Sequence, residues 1–167
     1  DGQHRFDSLK IGLNGAYQEE NAAVALEAFL LFMEQRGLAV DENGVREALQ
    51  ATSWPGRLEN FDQGVYLDGA HNPHAVAPLV ATMKERYGQL DKQVLFTCIQ
   101  TKAIEEMLEL WSGLEKSRLT LTTFEDSRAY SVRDMQEIAH LKGLPYQEWK
   151  LFLTHYLEKE SQQSDLL

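Results

Sequence analysis

The 167-residue chain is about the length of one average domain. Its 43% hydrophobic and 25% charged residues match ordinary globular usage, which excludes collagen-like, low-complexity and fully disordered classes. Lys+Arg of 16 against Asp+Glu of 26 gives a formal net charge of -10, which argues against a nonspecific phosphate-backbone binder, so no nucleic-acid partner is expected.

No window reaches the ~18 consecutive apolar residues of a membrane span, and Asp1-Gly2-Gln3-His4 is not a basic stretch leading into an apolar run. No membrane partner is expected. The single cysteine, Cys98, has no partner for an internal disulfide and sits in the apolar run 94–99, which suits a reducing compartment. The expected location is cytoplasmic.

In chain order, Leu9, Ile11 and Leu13 alternate with other residues before Asn14-Gly15, the pattern of a short strand ending in a turn. From Asn21 to Met33 almost no polar face is left, so a helix buried on several sides is expected there, closed by Gly37. Such a helix needs neighbours on both flanks, and a preceding part of a larger protein is expected to supply them. Asp41 caps a second helix carrying Val45, Ala48 and Leu49, and Thr52-Ser53-Trp54-Pro55-Gly56 then breaks the pattern. A domain boundary is expected there, dividing 1–53 from 54–167.

Beyond the boundary, short apolar runs alternate with amphipathic ones. Strands are expected at 65–67, 94–99 and 119–122, and helices at 73–87, 102–115 and 131–142. Val76, Leu79, Val80, Met83 and Tyr87 fall at helical spacing, as do Ile104, Met107, Leu108 and Trp111. This βα alternation predicts an α/β fold, a Rossmann-like layer with a mostly parallel sheet flanked by helices. Trp149, Phe152, Leu153, Tyr156 and Leu157 mark one more helix, 158–165 is the stretch expected to fray, and Ser164-Asp165-Leu166-Leu167 turns apolar and stops, so a last strand is expected to be cut off there.

The densest chemistry lies in Trp54-Pro55-Gly56-Arg57-Leu58-Glu59 and in Val65-Tyr66-Leu67-Asp68-Gly69-Ala70-His71-Asn72-Pro73. The second segment runs strand, loop, helix. Open α/β sheets bind ligands outside the carboxyl ends of their strands, and a helix N-terminus attracts anions, so Asp68, His71 and Asn72 are candidate ligand residues. By spacing alone, Asp and Asn are equally ordinary turn and cap residues.

Residues 55–59 and 68–73 together resemble the C-terminal domain of folylpolyglutamate synthase and dihydrofolate synthase, in the Mur ligase superfamily. Gly15-Ala16-Tyr17-Gln18-Glu19-Glu20-Asn21-Ala22 resembles that family's Gly-x-x-Gln-x-x-Asn-Ala segment at the end of its central ATPase domain. The Asp-x-Ala-His-Asn-Pro element is shared with peptidoglycan-building relatives, whereas Trp-Pro-Gly-Arg-Leu-Glu favours the folate branch. The resemblance implies an ATP-dependent ligase that activates a folate carboxylate as an acyl phosphate, which the amine of L-glutamate then attacks. It implies ATP and Mg²⁺ as cofactors and a reduced folate or dihydropteroate as acceptor. Under it, 1–53 is the tail of the central ATPase domain and 54–167 the ligase domain, lacking its last strand.

Carried over by position, Asn21 matches an asparagine contacting the nucleotide, Arg57 an arginine reaching the ATP phosphates, and Asp68 an aspartate accepting from the ribose hydroxyls. His71 and Asn72 match residues where nucleotide and glutamate meet, and Arg57 and His71 are the catalytic candidates. Guanidinium suits bidentate phosphate contacts, although Arg57 is also placed to pair with Glu59 on the surface.

Two positions depart from the family pattern. Thr101-Lys102-Ala103 keeps only the lysine of Asp-Lys-Asp, and Tyr17 replaces a histidine. The phosphate loop Gly-x-x-x-x-Gly-Lys-Ser/Thr does not occur. The resemblance implies that this loop, the metal ligands and the folate surface lie in an upstream ATPase domain, and the isolated chain is expected to be an inactive monomer. His71 and His74 lack a cysteine or carboxylate cluster at ligand spacing, so no metal site is expected here, and His140 suits the end of its helix. The alternatives are a peptidoglycan-precursor ligase, separated by its acceptor, and a non-catalytic α/β nucleotide-binding or interaction module.

Overall fold

The computed structural model describes residues 5–62 and 64–164, with side chains described as far as Tyr156. It divides into two units, Asp1–Ala70 and His71–Leu167.

In the first unit, α1 (Tyr17–Arg36) ends at Gly37, whose φ of 62° is the left-handed cap that glycine adopts without Cβ strain. The amides of Gly37 and Leu38 donate to Glu34 and Met33. Within this chain Gln18 is its one buried residue, while Val24 is 71% and Phe32 51% exposed, so the described residues do not supply the neighbours expected on its flanks. Apolar residues all around a helix leave no single face that one neighbouring surface can cover. α2 (Glu42–Ala51) begins at Asp41, whose carboxylate accepts from Asn43 N as expected of an N-cap.

The strand expected at residues 9–13 is also corrected. Leu9, Ile11 and Leu13 are half-buried and Ser8, Lys10 and Gly12 exposed, so the alternation is real, but the segment has no ladder. Its backbone is tied to α2 instead, Gly12 N donating to Leu49 O at 2.9 Å and Arg46 Nη1 to Asp7 O at 2.8 Å. A strand needs a partner for its amides, and here a helix end takes that place.

The first unit closes with an antiparallel hairpin of β1 (Glu59–Asp62) and β2 (Val65–Leu67), with Glu59 opposite Leu67 and an irregularity between Asn60 and Asp62. Val65–Leu67 is thus a strand, as expected, but its partner is β1, which no sequence pattern announced. The break expected after Ser53 falls inside this unit. Asn14 Nδ2 donates to Leu58 O and Tyr17 OH to Asp68, binding residues before the break to residues after it.

The second unit alternates α3 (Pro73–Tyr87), β3 (Lys92–Phe96), α4 (Ile104–Ser112), β4 (Ser117–Leu121), α5 (Val132–Lys142) and α6 (Trp149–Ser164). β3 and β4 pair in parallel, with Val94 opposite Leu119. Tyr146 extends the sheet by a parallel bridge to Leu121, held by Leu121 N to Pro145 O and Gln147 N to Leu121 O. Val76, Leu79 and Val80 of α3, Met107, Leu108 and Trp111 of α4, Phe96, Leu121 and Met135 form the core. The α3 and α4 residues among them are positions at helical spacing, while Met83 and Tyr87 of the same α3 series are half-buried. α5 is bounded by the Ser131 cap and by Gly143 at φ 66°.

The fraying stretch expected at 158–165 continues the α6 backbone as far as Ser164, and the apolar end at 165–167 lies outside the described residues. The architecture is α/β with a small parallel sheet, as the alternation predicted.

Candidate functional site

The first-unit candidates converge on Asp68, directly after β2. Oδ2 accepts from Leu58 N at 2.7 Å and from Tyr17 OH at 3.3 Å, and Oδ1 accepts from Ala70 N at 2.7 Å. A carboxylate offers about four lone-pair sites, and among the described residues three donors fill all but one, on Oδ1. Both backbone bonds are short, at 2.7 Å.

The loop carrying Arg57 is sewn to the same corner. Gly69 N donates to Gly56 O at 2.7 Å, and Glu59 Oε2 accepts from Gly56 N at 2.8 Å. Gly56 has φ 70°, which glycine adopts freely, whereas Leu58 has φ 44°, a left-handed conformation that costs a β-carbon residue energy. Leu58 tolerates it because its side chain is 2% exposed and its amide is bonded to Asp68. Burial and a charge-assisted bond together fix the strained residue.

Arg57 itself is exposed, one residue before this anchored point. Glu59, its expected surface partner, turns its carboxylate back onto Gly56 instead. The guanidinium lies near Tyr17 and favours ionisation of that phenol. Burial, the Asp68 charge and the hydrogen bond to Asp68 outweigh this and push the Tyr17 phenol up to about 12. Tyr17 is therefore a neutral donor over the physiological range.

Asn21, one turn further along α1, donates from Nδ2 to Gln18 Oε1 at 3.0 Å, and Gln18 is 4% exposed. Asn21 is on the surface, its amide oriented by a buried partner. The structure thus joins Tyr17 at the start of α1, the Arg57 loop and Asp68 into one network, with Asn21 on the adjoining turn. Tyr17 entered the sequence reading only as a departure from a pattern. Its place next to Gln18 in a segment already singled out was the available signal.

His71 and Asn72 open the second unit. Asn72 Oδ1 accepts from Ala75 N at 2.9 Å and Pro73 occupies the first turn, so Asn72 is the N-cap of α3. His71 is exposed just before the cap. In the departure at 101–103, Ala103 stands at the N-cap of α4 and offers no side-chain acceptor. Among the described residues, no group of three His, Cys, Asp or Glu side chains gathers as a metal site, and no helix is long and apolar enough to cross a membrane.

The α/β fold with its small parallel sheet is similar to that of the C-terminal domain of Mur-type ligases. Within that class the chain is similar to a C-terminal portion of folylpolyglutamate and dihydrofolate synthases. No protein-family model matches it. A dihydrofolate synthase/folylpolyglutamate synthase of Bacillus subtilis is 26% identical over 145 residues, covering 86% of this chain and 34% of that protein. The crystal structure of folylpolyglutamate synthase from Thermotoga maritima superposes with a TM-score of 0.73 at 28% identity, covering 93% of this chain and 37% of that one. The bifunctional enzyme of Yersinia pestis, solved with AMPPNP and a Mn ion, gives a TM-score of 0.71 at 26% identity, covering 92% and 36%. The chain thus spans about a third of the length of these relatives.

Proposed function

We propose that this chain is the C-terminal side of an ATP-dependent ligase that adds L-glutamate to a reduced folate or to dihydropteroate. The observation that carries the reading is the Arg57 loop: an exposed guanidinium on a backbone fixed by Gly56, Leu58 and Asp68. A cation held on rigid backbone stabilises charge on a transferring phosphoryl group without reorganising during the reaction.

In this reading ATP supplies the phosphoryl group that activates the acceptor carboxylate. Arg57 binds the phosphate oxygens, the remaining lone pair on Asp68 Oδ1 takes a ribose hydroxyl, and Asn21 contacts the nucleotide from α1. His71 and Asn72 act where nucleotide and glutamate meet. Residues 1–53 are read as the tail of a central ATPase domain and 54–167 as the ligase domain. Mg²⁺ is the expected cation, with its ligands on a phosphate-loop domain, so the chain is inactive without that domain, and it is read as a cytoplasmic monomer.

The test is ADP release with Mg-ATP and glutamate, offering a reduced folate, dihydropteroate or a muramyl-peptide precursor, by the chain joined to a phosphate-loop domain and by the chain alone. Turnover with a folate acceptor, by the joined form only, is expected. Arg57→Ala is expected to lower kcat about 100-fold, the scale of losing one preorganised charge-stabilising donor. Turnover only with the muramyl acceptor would move the chain to the peptidoglycan branch, and none with any acceptor would sink the ligase reading.

A further inference from the structure

The residue that joins α1 to the Arg57 loop is Tyr17. Its hydroxyl shares Asp68 Oδ2 with the amide of Leu58, the residue directly after Arg57 and one held in the left-handed region at φ 44°. A strained conformation persists only where its surroundings over-determine it, and here one carboxylate oxygen receives both the strained residue's amide and the phenol. The other oxygen receives Ala70 N, and Gly69 N reaches back to Gly56 O on the far side of Arg57. Arg57 is therefore flanked on both sides by backbone pinned to the Asp68 turn, and Tyr17 is the side chain that braces this turn from the helix.

We propose that Tyr17 is a positioning residue, its hydroxyl and the Leu58 amide forming on Asp68 a latch that sets the direction in which Arg57 leaves its loop. The consequence for phosphate binding rests on the ligase reading above, but the latch itself does not. Tyr17 touches no reacting group in this scheme and acts through Asp68 and Arg57. Its phenol stays protonated far above neutrality because of burial and the adjacent carboxylate, so the donor persists across the working pH range.

The test has one readout on each link. On the 167-residue chain, Tyr17→Phe is expected to speed hydrogen exchange at the Leu58 and Ala70 amides about threefold to tenfold, while mid-helix amides of α1 and α2 keep their rates. Equal acceleration throughout the first unit would mean general destabilisation and would overturn the latch, as would unchanged exchange at Leu58. In the joined ligase, Tyr17→Phe is expected to lower kcat/KM for ATP about tenfold when Arg57 is present and to change it less than about twofold in an Arg57→Ala background, because residues acting through one another are not additive. The same loss in both backgrounds would refute action through Arg57. Absence of ADP release from the unmutated ligase would instead sink the function, and the exchange rates would still decide the latch.

Discussion

Asp68→Ala probes the centre of the network most directly, because one carboxylate holds three donors. The substitution leaves Leu58 N and Ala70 N, each now 2.7 Å from a carboxylate oxygen, and Tyr17 OH, at 3.3 Å, without their acceptor. Hydrogen bonds to a charged group contribute about 1.5–3 kcal/mol each, and a buried donor left unpaired costs about 1–3 kcal/mol. Leu58 is buried, so water cannot replace the lost acceptor, whereas Ala70 is half-buried and recovers part of its loss from solvent. The Tyr17 bond is long and adds less. The expected destabilisation of the first unit is about 3–5 kcal/mol, a large share of a typical domain stability of about 5–15 kcal/mol. Asp68→Asn keeps the shape but turns one acceptor into a donor facing Leu58 N or Ala70 N, and about 2–3 kcal/mol is expected. The assay is urea unfolding followed by far-ultraviolet circular dichroism, with native-state exchange at Leu58 reporting on the first unit alone. An Asp68→Ala loss below about 1 kcal/mol, with the Leu58 amide as protected as before, would refute the reasoning.

Asn72→Ala removes the α3 cap bond to Ala75 N and is expected to cost about 1 kcal/mol in thermal or urea unfolding. Asn72→Asp keeps the cap, so unaltered stability with a raised KM for glutamate would separate a ligand role from the capping role. At high pH, Tyr17 is pushed from 10.0 to about 12, chiefly by burial and the Asp68 charge, and Cys98 from 9.0 to about 11 by burial. Both folded values lie above the unfolded ones, so the protonated groups contribute stability that is complete below those unfolded values. It is lost as pH rises, between about 9 and 11 for Cys98 and between about 10 and 12 for Tyr17. Urea midpoints measured from pH 8 to 12 are expected to fall less steeply in Cys98→Ala and Tyr17→Phe than in the unmutated chain, and parallel curves would contradict the assignment.

What the sequence determined by itself was local. Asn72-Pro73 fixed the start of a helix whose bounds, Pro73–Tyr87, are those the spacing predicted, and Gly37, Asp41 and Ser131 closed or opened helices where expected. These features depend on atoms within a few residues of one another: a side-chain oxygen meeting an amide two or three positions on, or a left-handed glycine at a helix end. The inward face of α4 was legible for the same reason, since helical spacing puts Ile104, Met107, Leu108 and Trp111 on one side.

Tertiary structure decided everything that needed a partner distant in sequence. A period of two shows which residues of 9–13 turn inward but not whether a second strand exists, and the end of α2 took that place. Val65–Leu67 was visible as a strand, yet its antiparallel pairing with β1, irregular between Asn60 and Asp62, was not. The apolar length of α1 predicted burial that needs covering surfaces on several sides, and within this chain its first turn alone carries a buried residue. At the site, the motif residues Arg57 and Asp68 were readable as letters, but the bond from Tyr17 across 51 positions was not. Local chemistry is written in neighbouring residues, whereas a long-range hydrogen bond is written only in the folded chain that brings its two ends together.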